Sequence, residues 1–259
     1  MKLLMAALFL CTSSAFAKIK TEKIDYKDGE NKLEGSIVYD EVKLKKHKKL
    51  PAVIIVHDWM GVGEYVNMRA QQLAELGYVA FVADIYGKDV HPKDANEAGA
   101  LAGKYKAGDR KDMRSRALAG YEVVKSKKFV NTDKISAMGY CFGGTVALEL
   151  ARMGLPLAGV ISFHGGLSAV SPEDAKKIKT KLLILHGAID PYVSAVEVAT
   201  FQKELNEAAI NYEFVAYSGA VHAFTIKGAG NDIKAGAAYN EQADKRSFIA
   251  MKDFLTEVN

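Results

Sequence analysis

The chain has 259 residues, of which 49% are apolar, 25% charged and 9% aromatic. This is ordinary globular composition, and it excludes a disordered, collagen-like or disulfide-stapled chain. With 35 Lys and Arg against 31 Asp and Glu, the net charge is only +4 and is spread along the chain, which argues against nucleic acid or an anionic membrane as a partner.

At the amino terminus, Lys2 is followed by an apolar run over residues 3–10, then Cys11 and Ala15-Phe16-Ala17. A basic residue, a short apolar core and an Ala-x-Ala site predict a secretory signal peptide over residues 1–17. The run is too short to span a bilayer, which takes about 20 apolar residues. Leu10 before Cys11 is not the small residue that usually precedes a lipidated bacterial cysteine, so a lipoprotein is disfavoured. Cleavage predicts an exported protein, periplasmic or secreted, consisting of one domain over residues 18–259. Its single cysteine, Cys141, then has no internal disulfide partner and is either a small buried hydrophobe or a reagent.

In chain order, residues 33–39 predict an antiparallel opening strand. The lysine-rich stretch 43–49 reads as a solvated loop rather than a phosphate or lipid patch. Apolar runs at 53–56, 79–82, 135–138, 160–163, 182–185 and 212–215 predict strands, most of them apolar on both faces as in a covered parallel sheet. Helices are predicted between them. One spans 68–76, with Ala70, Leu73 and Ala74 inward and Gly77 as its stop. Others span 110–125, 145–153, 194–208 with a hydroxyl cap, and 239–257 with Ala243, Phe248, Met251 and Leu255 inward. Residues 89–105, polar and Gly/Ala-rich, read as an excursion at the mouth of a site. The alternation predicts an α/β fold with a mostly parallel central sheet, right-handed crossovers and helices on both faces. After residue 17 there is no membrane-length apolar run and no internal repeat.

Gly139-Tyr140-Cys141-Phe142-Gly143 follows a predicted strand and opens a predicted helix. It has the form of the nucleophile elbow, with sulfur in place of oxygen. So tight a turn requires small flanking residues and strains the nucleophile's backbone, while the helix amino terminus favours a thiolate. Taken alone, such a pentapeptide is equally a packed core cysteine; its place after the central strand favours the nucleophile. The chain order nucleophile, acid, histidine then selects Asp190, directly after a strand, and His222, between the last strand and the last helix. His57, His164 and His186 also end strands, where a hydrogen-bonded structural role is the commoner one. Oxyanion donors are expected from the backbone N–H groups of Phe142 and Trp59. Asp58 either takes the thiol proton in the resting state or caps the next helix. No metal or dinucleotide pattern is present, so no cofactor is expected.

These blocks resemble the dienelactone hydrolase family, a cysteine branch of the α/β-hydrolases. The likeness rests on residues 57–61, 83–87, 139–144, 186–191 and 219–224, in that order. It implies an α/β-hydrolase fold, a Cys141–His222–Asp190 triad and a resting contact between the thiol and Asp58. Two departures stand out. The family's dienelactone enzymes carry Glu at the position of Asp58, and they hold the substrate carboxylate with two arginines. Here those two positions fall near Lys88 and at Ile226, which argues against an anionic dienelactone as substrate. Tyr86, Trp59, Phe142, Tyr192 and Phe224 would instead line a largely apolar pocket. The resulting expectation is a monomer that cleaves a small ester or lactone through an acyl-thiolate, with Lys88 attracting any substrate anion. A broad carboxylesterase or thioesterase, and a non-catalytic binding protein on the same fold, are the alternatives. An exported lone thiol also predicts sensitivity to peroxide.

Overall fold

The structure, a computed structural model, describes residues 17–259; the signal-peptide reading falls almost wholly on residues outside that range. Strands β1 (Ile19–Asp28) and β2 (Asn31–Asp40) form an antiparallel hairpin. They are joined by β3 (Leu50–Val56), β4 (Val79–Ala83), β5 (Val130–Tyr140), β6 (Gly159–Phe163), β7 (Lys181–Gly187) and β8 (Tyr212–Tyr217). The eight strands form one sheet in the order β1-β2-β4-β3-β5-β6-β7-β8, antiparallel at its first two junctions and parallel from β4 onward.

All six predicted parallel strands are present, and the central residues of all but the edge strand β8 are buried on both faces. Alternate side chains of each strand feed two cores. Ala52, Ile54 and Val56 of β3 face α3 (Ala95–Lys106), α4 (Lys111–Lys125), α5 (Phe142–Arg152) and α6 (Ala195–Glu207). Val53 and Ile55 face α2 (Glu64–Leu76) and α7 (Glu241–Val258). The fold is the expected α/β-hydrolase arrangement, with helices on both sides of the sheet.

Three segments differ from the sequence reading, the third being residues 95–106, read as part of a polar excursion and folded as the helix α3. Residues 43–49 are not a loop: α1 (Glu41–His47) forms there, with no buried residue. The Asp40 carboxylate accepts the Val42 N–H at 2.9 Å, Glu41 sits in the first turn, Lys45 and Lys46 sit in the last, and Leu44 packs against the core. Each charge therefore complements the helix dipole. The second difference is β1, which carries a charged residue at almost every other position and packs Ile24 and Tyr26 against the core. Charges along a sheet edge discourage pairing with another chain, and they also hide the strand from a search for apolar runs. Among the described residues no helix is long and apolar enough to cross a membrane.

Candidate active site

The carboxyl ends of the parallel strands bring Cys141, His222, Asp190, Asp58, Trp59 and Phe142 together, while Lys88 and Phe224 stay outside the pocket. Cys141 lies between β5 and α5 with φ 55° and ψ −116°. That left-handed backbone persists because the surroundings leave the turn no alternative. A Cβ on Gly139 would lie 2.1 Å from the Gly143 oxygen, and one on Gly143 would lie 2.3 Å from the Val56 oxygen. Glycine is therefore required on both sides of the sulfur, as the elbow reading expects.

His222 Nε2 lies 3.0 Å from Cys141 Sγ, and His222 Nδ1 lies 2.8 Å from Asp190 Oδ2. The second Asp190 oxygen accepts the Tyr192 N–H at 2.8 Å, which fixes the carboxylate against the imidazole. Burial works against charge on His222, but the Cys141 sulfur and the Asp190 carboxylate outweigh it and push its pKa up to about 10. At neutral pH the ring is therefore imidazolium, with both N–H groups pointing at acceptors.

This pairing has a measurable consequence. Cys141→Ala removes the sulfur's contribution and leaves burial opposed only by Asp190, so the His222 titration midpoint is expected to fall well below 10. NMR of the histidine ring reads it directly, and an unmoved midpoint would contradict the pairing. A histidine whose folded pKa exceeds its unfolded value of about 6.5 stabilises the fold fully below that pH. It loses this contribution as pH rises toward 10, so wild type should lose more stability over that interval than the variant.

The other strand-end histidines are structural in their bonding. His57 is fully buried between the Asp58 carbonyl at Nδ1 (2.6 Å) and the Ile85 N–H at Nε2 (3.2 Å). His164 Nδ1 accepts the Cys141 N–H at 3.1 Å. His186 is buried on Phe214, and its Nδ1 has no hydrogen-bond partner.

A pocket of about 570 Å³ opens over the sulfur. Cys141, Phe142, Asp58, Trp59, Tyr192 and Ile226 belong to its wall, and α3 closes one side with Gly99, Ala102, Gly103 and Lys106. The excursion over residues 89–105 thus stands at the mouth as expected, in large part as helix. Phe142 is the first residue of α5 and has no intrahelical acceptor for its N–H. Neither that N–H nor the Trp59 N–H is hydrogen-bonded within the described residues. The loop bearing Trp59 is held by Tyr86, whose hydroxyl donates to the Trp59 carbonyl at 3.0 Å. Tyr86 itself is buried, packed against His57 and Phe142, and supports the wall from behind.

Among the described residues no three His, Cys, Asp or Glu side chains converge as metal ligands. Residues 41–259 match the dienelactone hydrolase family. The chain belongs to that family. As a dienelactone hydrolase family member it is a hydrolase acting on ester bonds. A "Probable 2-oxo-3-(5-oxofuran-2-ylidene)propanoate lactonase" of a Bradyrhizobium species is 30% identical, over 74% of this chain and 81% of its own length. A "Putative carboxymethylenebutenolidase" of Saccharolobus solfataricus is 27% identical, over 88% of this chain and all of the relative. Among solved structures, a dienelactone hydrolase-like promiscuous phosphotriesterase from metagenomic libraries superimposes with a TM-score of 0.87 at 34% identity, covering 94% of this chain and 99% of that one.

Against this family background several site expectations need correction. Lys88 is not at the pocket: its ammonium lies 2.7 Å from Asp25 and 3.3 Å from Glu34, on the β1–β2 side of the sheet. Its residue follows the turn capped by Asp84, which accepts the Tyr86 and Gly87 N–H groups at 2.9 Å each, and that turn directs the side chain away. The pocket's lysine is Lys106 on α3, which no motif marked. Phe224 does not line the pocket; it is fully buried against His164 and Tyr217. Asp58 neither touches the thiol nor caps α2, whose N-cap is Gly63. Its Oδ1 accepts the Met60 N–H at 2.8 Å and so caps its own turn. Burial pushes its pKa up, opposed by that N–H and by the charges of His57 and His222, so its carboxyl holds a proton to higher pH than an exposed aspartate.

Proposed function

We propose that this hydrolase cleaves a small ester or lactone by nucleophilic catalysis at Cys141. The observation that carries the reading is the hydrogen-bonded series from Sγ through His222 to Asp190, at 3.0 and 2.8 Å. The thiolate attacks the carbonyl carbon, and the resulting oxyanion accepts the free N–H groups of Phe142 and Trp59. Collapse breaks the bond to the leaving oxygen, which takes the proton from His222 Nε2. Water then attacks the thioester as Nε2 removes its proton. A second collapse releases the acid and the thiolate, and the imidazolium is restored. Asp190 holds the ring in the orientation that both transfers need.

The mostly apolar wall, with Lys106 as its cation, favours a substrate with an apolar body over a compact dianion. A panel of p-nitrophenyl esters, lactones and thioesters tests the class. Short esters and lactones should turn over in wild type and not in Cys141→Ala, and equal rates in both proteins would sink the reading. A second substrate class is supported by the phosphotriesterase relative: attack of the same thiolate on phosphorus, which a phosphotriester added to the panel would reveal. We propose the monomer as the working unit, because Cys141, His222 and Asp190 meet within one chain. We also propose export, on the strength of the Lys2 to Ala17 pattern. Amino-terminal sequencing of the protein from its native cell should then begin at Lys18; an intact Met1 would refute this.

A further inference from the structure

Cys141 follows β5 and His222 follows β8, with β6 and β7 between them. Three strand spacings amount to roughly 14 Å, so the His222 loop must return across the sheet to reach the sulfur. Something must set how far it returns. The end of β6 lies directly under that path and carries His164, fully buried and, unusually for a non-glycine residue, at φ 39°.

His164 bonds in both directions. The Cys141 N–H donates to the Phe163 carbonyl at 3.0 Å and to His164 Nδ1 at 3.1 Å. Because Nδ1 faces a donor it must be the unprotonated nitrogen, so the ring proton sits on Nε2. That nitrogen lies 2.8 Å from Thr225 Oγ1, on the loop that carries His222. Burial holds the His164 pKa well below its ordinary value, which keeps the ring neutral and the tautomer fixed. Thr225 is anchored from behind. The Tyr65 hydroxyl lies 2.7 Å from Oγ1 and accepts from Arg69 Nε at 3.2 Å, while Arg69 Nη2 donates to the Thr225 carbonyl at 3.2 Å. The edge of the His164 ring also meets His222, with ring centres 5.2 Å apart.

We propose that His164 and Thr225 form a positioning strut that ties the nucleophile's backbone to the histidine loop and sets the Cys141–His222 separation. The inference rests on the nucleophilic role proposed for Cys141. The strut touches neither substrate nor the reacting sulfur; it acts by holding His222 in register. Misplacement of a catalytic group by about 1 Å costs on the order of 100-fold in rate.

Thr225→Val keeps the side chain's shape and removes the hydroxyl. It is expected to lower kcat for p-nitrophenyl acetate by about ten- to a hundred-fold with KM little changed, and to shift the NMR titration of His222 downward as its contact with sulfur loosens. Thr225→Ser should restore both. His164→Asn, which can offer an oxygen to the Cys141 N–H but is too short to reach Thr225, should reproduce the loss in a folded protein. Wild-type kcat and His222 titration in Thr225→Val and His164→Asn, with Cys141→Ala inactive, would overturn the strut alone. Activity surviving in Cys141→Ala would overturn the nucleophile reading and the strut with it. Failure of both strut variants to fold, as judged by circular dichroism, would show a purely structural pair and would likewise overturn the proposal.

Discussion

Cys141→Ala is expected to reduce hydrolysis of p-nitrophenyl acetate to background, a loss of roughly four to six orders of magnitude in kcat. The size of the loss follows from the proposed triad acting as a unit. Without the sulfur, His222 has no nucleophile to serve and the free N–H groups of Phe142 and Trp59 have no tetrahedral adduct to stabilise. Removal of one member of such a set therefore costs nearly as much as removal of all. The alanine side chain fits the space, and the backbone at φ 55° is enforced by Gly139 and Gly143, so the variant should melt close to wild type. Cys141→Ser keeps the hydrogen-bonding geometry but offers a far weaker acid to His222, so its activity should fall between the two. Retained turnover in the alanine variant would place the chemistry elsewhere.

Glu149→Ala carries the largest expected effect on stability. Glu149 lies on α5, fully buried, and its carboxylate meets Arg110 at 2.8 Å, Arg114 at 2.6 Å and Arg152 at 2.9 Å. Arg110 and Arg152 are themselves buried. Truncation leaves the buried guanidinium groups of Arg110 and Arg152 without a counter-charge, Arg114 alone keeping one in Asp174 at 2.6 Å, which costs about 3–5 kcal/mol. For a chain of this size that lowers the melting temperature on the order of 10 °C. The effect reaches the pocket, because Arg110 and Arg152 donate to the Ser168 carbonyl at 2.8 and 3.0 Å, next to Gly166 in the pocket wall. Burial raises the Glu149 pKa, but the three arginines outweigh it and hold it below the ordinary 4.5. A depressed carboxylate pKa stabilises the fold above about pH 4.5 and loses that contribution as pH falls toward the depressed value. Thermal melts from pH 7 down to pH 3 should show this acid loss in wild type and much less of it in Glu149→Gln. A Glu149→Ala protein that melts with wild type would show that the cluster is dispensable.

The sequence reveals the positions that obey local rules. Six apolar runs mark the parallel strands, and the glycines around Cys141 mark the elbow, because the steric demand is set by immediate neighbours. Chain order marks Asp190 and His222, since the topology brings the ends of β7 and β8 to one edge of the sheet. What the sequence conceals depends on distant partners. Glu149 reads as a helix-face partner of Arg152 three residues on, until Arg114 arrives from α4 and Arg110 from its N-cap. Lys88 and Lys106 are indistinguishable as lysines; one is claimed by Asp25 and Glu34, and the other stands on the wall of the pocket. Phe224 is named by the same motif as His222, yet it faces the core because successive residues of that loop point in different directions. Asp40 and Asp94 are signals of a local kind that the apolar pattern hides: a capping aspartate precedes α1 at Glu41 and α3 at Ala95.

Rapid acid quench of the wild-type enzyme with p-nitrophenyl acetate, followed by mass spectrometry of the intact protein and its peptides, tests the nucleophile directly. An early release of about one p-nitrophenol per active site is expected, together with an added acetyl group on the peptide containing Cys141. Steady turnover without any adduct, or an acetyl group on another residue, would contradict Cys141 as the nucleophile.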